Sequence, residues 1–142
     1  MKTFNSQFRV ESSHIDRGNH ANWRAQLAVA EEIHFNVRER HYDLGLELLR
    51  QNHNLFLVIQ KQSAIYLRQL LLGDVVDVST TISIVRPTVL RFDFMFLKDK
   101  QIATEISWLM SFVSADAGKP RKSPEWVTVA IGPGEPSICM QI

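Results

Sequence analysis

The stretch Asn22-Trp23-Arg24-Ala25-Gln26-Leu27-Ala28-Val29-Ala30-Glu31-Glu32-Ile33-His34-Phe35-Asn36-Val37-Arg38 decides how the rest of the chain must fold. At about 100° per residue, Trp23, Leu27, Ala30, Ile33 and Val37 fall within about 120° of one another, the spacing of a helix with one apolar face. Ala25, Ala28 and Phe35 add apolar surface on the other side, so this helix is expected to be largely enclosed. Asn22 is placed to cap it, because its side chain can accept a free amide of the first turn. Upstream, Phe4, Phe8 and Val10 alternate with Asn5, Gln7 and Arg9, which predicts a short half-buried strand over 4–10. Residues 11–21 are polar and read as a loop. Downstream, Asp43 is placed to start a short helix over 44–51, and His53 and Asn54 break that pattern.

Beyond residue 54 the period changes to two. Leu55 to Tyr66 is strand-like. Val76, Val78, Ile82 and Ile84 then alternate with Asp77, Ser79, Thr81 and Ser83. Leu90, Phe92, Phe94 and Phe96 repeat the alternation and read as sheet core. Lys98-Asp99-Lys100 makes a tight turn. Ile102, Ile106, Trp108, Met110 and Phe112 share the next face. Short connections between long strands favour antiparallel pairing. From Ala115 onward, Gly and Pro predict an irregular tail in which 125–131 forms a short helix or an edge strand. One face of this sheet must be buried, and the helix over 22–38 is the only large apolar partner. A curved sheet wrapped around that helix satisfies both. A sheet this small leaves an edge strand free, so pairing between chains is expected.

Composition narrows the function. The 142 residues fit one domain, over 1–142, and their 16 Lys and Arg against 15 Asp and Glu leave a net charge of +1. That balance excludes a dedicated nucleic-acid surface. One cysteine, Cys139, excludes an internal disulfide framework and fits a reducing compartment. No run approaches the ~18 apolar residues of a membrane span. The first residues lack the apolar core of a signal peptide, so a cytoplasmic location is expected. There is no Gly-rich phosphate loop, no Gly-x-Ser-x-Gly elbow and no Cys-rich metal pattern, and the histidines lack zinc-helix spacing. Neither a metal nor a cofactor is implied. His34 reads as a satisfied buried histidine.

The segment with chemistry in it is His14-Ile15-Asp16-Arg17-Gly18-Asn19-His20-Ala21-Asn22-Trp23. It gathers an acid, two histidines and two asparagines just ahead of the helix. A helix start carries unpaired amides and partial positive charge, and an enclosed one stabilises an oxyanion. Asp16 can return to that spot across a tight loop. The same residues also suffice for a turn and a cap, and composition alone leaves both readings open.

The run Asp16-x-x-x-His20-x-Asn22, with Glu31-Glu32 in the following helix, resembles the motif of hotdog-fold acyl-CoA thioesterases. The most similar group is the 4-hydroxybenzoyl-CoA thioesterase family, whose motif reads Asp-x-x-Gly-His-x-Asn-Asn. The resemblance spans roughly residues 4–125. It departs from the pattern at His14, Asn19, Trp23 and Gln26, where Gln26 stands in place of a frequent Tyr. It implies an α+β hotdog fold, a curved antiparallel sheet around a central helix. It implies that Asp16 is the catalytic carboxylate, as nucleophile or as base, and that the Trp23 amide is the oxyanion donor. A thiol leaving group with pKa near ~8.5 departs without a strong general acid, so a carboxylate and a preorganised amide suffice.

His20 is then placed to position the acid or line the pocket, and Asn22 to orient water or substrate besides capping. Glu31, on the edge of the apolar stripe, is better placed to reach a cleft than Glu32, which lies nearly opposite. Coenzyme A phosphates ask for basic residues at the cleft mouth. Arg86, Arg91, Lys119, Arg121 and Lys122 are the candidates. The expected partners are an acyl-CoA or acyl carrier protein thioester and further copies of the chain, in a homodimer or homotetramer with sites between subunits. Two other readings compete: a hydratase or dehydratase using His20 with Glu31, and a non-catalytic acyl-CoA binding module.

Overall fold

The period-two segments build one five-stranded sheet. The computed structural model describes residues 1–132; Cys139 and the rest of the expected tail lie outside the described residues. The elements are β1 (Lys2–Arg9), α1 (Trp23–His41), α2 (Leu46–His53), β2 (Leu55–Tyr66), β3 (Val75–Arg86), β4 (Val89–Lys98), β5 (Gln101–Ser114) and α3 (Glu125–Ile131). The sheet order is β1-β3-β4-β5-β2, with every pair antiparallel. The β4–β5 hairpin turns at Asp99 and Lys100, which take φ values of 50° and 63°. Positive φ at both turn residues matches the twist of the flanking strands.

Register explains the core. Val78 pairs with Phe96, and Phe96 with Thr104; Ile82 pairs with Phe92, and Phe92 with Trp108. These side chains share the inner face and pack against α1. The His34 ring lies 5.1 Å from Phe92 and 5.4 Å from Trp108, edge-on to both. Phe94 packs on Trp108 at 4.9 Å. The curved sheet around a central helix is the hotdog architecture expected from the motif.

The helix itself differs from its apolar stripe. Its buried residues are Gln26, Ala30, His34, Val37 and Arg38. Trp23, read as part of the core stripe, is 58% exposed. Glu31, Glu32, Asn36, Glu39 and Arg40 form a solvent face, so α1 is enclosed on one side only. The face rotates because its buried polar groups find partners, which removes most of the cost of burying them. His34 Nδ1 lies 3.2 Å from the Glu31 carbonyl. Its Nε2 lies 3.2 Å from Arg38 Nη1, a group that can only donate. The imidazole is thereby assigned as neutral, with its proton on Nδ1. Burial first and Arg38 second lower the His34 pKa to about 4. Arg38 also donates from Nε to the Leu44 carbonyl at 3.0 Å, and burial lowers its pKa to about 10.

Two further boundaries move. The short helix begins at Leu46 after Gly45, not at Leu44 after Asp43. Asp43 takes a φ of 51° instead, and its neighbour Leu44 turns into the core. Residues 125–131 form a helix rather than an edge strand, anchored by Trp126, whose Nε1 donates to the Tyr42 carbonyl at 2.8 Å. Among the described residues, no helix is long and apolar enough to cross a membrane.

Candidate active site

The loop between β1 and α1 closes on itself before the helix begins. The Asn22 N–H donates to the His14 carbonyl at 3.0 Å. Asn22 Oδ1 accepts from the Ala25 N–H at 2.8 Å, the expected cap. Within this closed loop, Asp16 folds back over the first turn. Its Oδ1 accepts from the Arg17 N–H at 2.6 Å, and its Oδ2 from Arg24 Nη2 at 3.3 Å. The Asp16 side chain is 53% exposed. An ion pair that open is worth at most about 1 kcal/mol, so its part is orientation rather than stability. The N–H groups of Trp23 and Arg24 have no acceptor among the described residues. Asp16 and Trp23 line the same cleft.

These groups line one wall of a cleft of about 470 Å³, formed by Asp16, His20, Ala21, Asn22, Trp23 and Gln26. The facing wall is Tyr66, Leu67, Arg68 and Gln69, from the end of β2 and the connection after it. The first wall is tied to the connection after β2, and that connection to β5. Ala21 N–H donates to the Leu70 carbonyl at 2.7 Å, and the N–H groups of Leu67 and Arg68 share the Ala103 carbonyl at 2.8 and 3.1 Å. Asp74 secures the same connection, accepting from the Leu71 N–H and from Lys98, each at 2.7 Å. Burial opposes ionisation of Asp74, but these two donors outweigh it and lower its pKa. Gly18 leaves room for the His20 ring, since a Cβ there would sit 3.2 Å from His20 Cε1.

Gln26 is the buried floor of the cleft, only 4% exposed. The Thr104 hydroxyl donates to its Oε1 at 2.5 Å, and its Nε2 donates to the Ala21 carbonyl at 3.4 Å.

Asp16, His20, Asn22 and Trp23 are thus brought together, and other candidates are not. Glu31 and Glu32 are exposed, and neither lines this cleft. Arg86 and Lys122 line a second cavity, of about 460 Å³, with Ile84, Pro87, Ser123 and Thr128. It lies at the opposite end of β3 from the Asp16 cleft. Lys119 and Arg121 are exposed on the loop after β5 and line neither cavity. Arg91 is buried and pairs with Asp93 at 2.9 Å, which makes it a structural ion pair rather than a mouth residue. Among the described residues, no cluster of His, Cys, Asp and Glu has the makings of a metal site.

Sequence reasoning did not identify Arg24, Arg68 or the rest of the 66–69 wall as site residues, and it noted Gln26 only as a departure from the motif. Gln26 carried a signal, because it lies one helical turn from Asn22 and Trp23. The 66–69 wall carried none, since it reaches the site only through the strand order.

A sheet curled around one long helix, with a cleft at the helix start, defines the hotdog class of thioester hydrolases. The particular family follows from the sequence: residues 10–131 match the Thioesterase-like superfamily, and the chain belongs to it. No curated protein matches it in sequence. Three solved structures show how far the fold is shared. A 1,4-dihydroxy-2-naphthoyl-CoA thioesterase from Synechocystis is 16% identical with a TM-score of 0.83, over 92% of this chain and 96% of that one. A Staphylococcus aureus protein in complex with CoA is 22% identical with a TM-score of 0.82, over 92% and 82%. A 12:0-ACP thioesterase from Umbellularia californica is 20% identical with a TM-score of 0.79; this chain is covered over 92% and spans about half of it, 52%.

Proposed function

We propose that this protein hydrolyses the thioester of an acyl-CoA in the Asp16 cleft, within the 4-hydroxybenzoyl-CoA thioesterase group of its superfamily. The observation that carries the reading is that Asp16 and Trp23, whose amide has no acceptor among the described residues, line one cleft. The Asp16 carboxylate either attacks the thioester carbon or takes a proton from the water that does. In both routes the carbonyl oxygen becomes an alkoxide, and a donor fixed in advance on that oxygen lowers the barrier. The carbon–sulfur bond then breaks and its electron pair leaves with sulfur as thiolate. His20 lines the pocket, and Asn22 holds the loop and helix in register.

CoA is favoured over a carrier protein as the thiol carrier. Arg68 lines the cleft and suits a phosphate, and one structural neighbour was solved with CoA. The chain is read as a homodimer, alone or doubled into a homotetramer. β2 is an edge strand with Val58, Ile59, Ile65 and Tyr66 exposed, and an unpaired edge of that kind invites pairing with its own copy. Two-fold antiparallel pairing there sets the end of one β2, at the cleft, beside the start of the other. The loop that holds Lys119, Arg121 and Lys122 follows β5 beside that start. The partner subunit's basic loop would then serve the phosphates, with the Arg86 cavity behind it. Glu31 has no place in the cleft of its own subunit and is left out of this mechanism.

The test is free-thiol release from a panel of acyl-CoAs by the purified protein, with Asp16→Ala in parallel. Release by the wild type and a loss of about 100-fold or more in the variant support the reading. A change in double-bond absorbance without thiol marks a hydratase. Tight binding with neither marks a binding module. Asp16→Ala at full activity removes Asp16 from the chemistry.

A further inference from the structure

We propose that the Gln26 carboxamide is a second donor to the substrate's carbonyl oxygen, acting with the Trp23 amide. This rests on the hydrolase reading above and deepens it. A buried polar side chain in a cleft must have its hydrogen bonds assigned. Gln26 has only one consistent assignment. Thr104, fully buried on β5, donates to Oε1, and Nε2 faces the Ala21 carbonyl. Flipping the amide would set Oε1 against that carbonyl, two acceptors facing each other. The orientation is therefore fixed by the sheet.

Nε2 carries two hydrogens. One is directed at the Ala21 carbonyl over 3.4 Å, a long bond. The other has no acceptor among the described residues. The Ala21 carbonyl immediately precedes Asn22 and the helix start, where the Trp23 N–H is also unpaired. Two donors, one from the backbone of Trp23 and one from the side chain of Gln26, thus belong to residues that line the same cleft as Asp16.

The step they serve balances without a proton from Gln26. As the nucleophilic oxygen adds to the thioester carbon, the carbonyl π pair moves onto oxygen. The resulting C–O⁻ accepts from Trp23 N–H and Gln26 Nε2–H. Collapse re-forms the carbonyl and expels sulfur with the C–S pair. Gln26 begins and ends the step as a neutral amide. Because the sheet holds it in advance, it contributes without reorganising, which is the condition for a large effect.

Gln26→Met keeps the length and removes the donor. The double variant Gln26→Met with Thr104→Val removes the donor and also the hydroxyl that the single change would leave without an acceptor. For each, kcat should fall about 100-fold with KM changed less than about threefold. Inhibition by a trifluoromethyl-ketone analogue of the acyl-CoA, which forms a tetrahedral adduct, should weaken by the same factor while affinity for free CoA holds. A purely structural Gln26 would lower the thermal midpoint and leave kcat per folded molecule and the analogue untouched. That result overturns the inference. Should Gln26→Met fail to fold, the double variant Gln26→Met with Thr104→Val decides alone by the same two readouts. A wild type that releases no thiol from any acyl-CoA defeats the hydrolase reading, whereas an active wild type with an equally active Gln26→Met defeats only this one.

Discussion

Acidification should unfold this protein through one residue, His34. The imidazole is 3% exposed, wedged between Phe92 and Trp108, with its Nε2 accepting from Arg38. Protonation would put a second donor against the guanidinium and a second charge into the aromatic core. Its pKa is therefore about 4 in the folded chain against 6.5 as a free side chain. Between those values the unfolded chain binds the proton and the folded chain does not. Stability from this site is therefore complete above pH 6.5 and is lost as the pH falls toward 4. At about 1.36 kcal/mol per unit, the loss reaches about 3 kcal/mol by pH 4. With a urea slope of about 2 kcal/mol/M for a chain of this size, the unfolding midpoint moves down by about 1.5 M. Urea melts at pH 7, 5.5 and 4.5 measure this, with His34→Gln as the reference, because Gln can donate to Glu31 and accept from Arg38 without titrating. The wild type should lose its advantage over the variant as the pH falls. A wild-type-minus-variant difference that stays constant across the range refutes the reasoning, whatever the carboxylates add to both curves.

Two other outcomes are expected. Phe94→Ala removes a fully enclosed ring from the contact with Phe92 and Trp108 and should cost about 3–5 kcal/mol in urea unfolding, with little repair by collapse. The double variant Val58→Lys with Ile65→Lys places charge on the exposed side chains of β2. It should convert a dimer to a monomer in sedimentation equilibrium while leaving the far-ultraviolet spectrum unchanged; a wild type already monomeric rejects the edge-strand interface.

The strands were legible because alternation survives tertiary context. Val76 through Phe112 kept the faces that their even numbering assigned, and strand ends moved only by a residue or two. The helix was legible in position but not in rotation. Hydrophobicity placed Trp23 inside and passed over Gln26 and Arg38, while His34 was legible as a satisfied buried histidine; all three are buried because Thr104, Glu31 and Leu44 offer them partners. Pairings of that kind depend on which strand faces the helix, which residue spacing does not record. The site divided in the same way. Asp16, His20, Asn22 and Trp23 were readable because a short closed loop makes neighbours in sequence neighbours in space. Tyr66 to Gln69 were not, since only the β5–β2 pairing brings them back.

Ala103 holds the far wall through its carbonyl, and the next residue, Thr104, holds the floor through its hydroxyl. Opening this mouth wider would mean breaking the first rungs of the sheet's longest strand. If the proposed reading holds, a larger acyl group must be accommodated by depth along the helix or, in the proposed dimer, by the neighbouring copy, and variants that broaden what the enzyme accepts should map to those places and not to the rim.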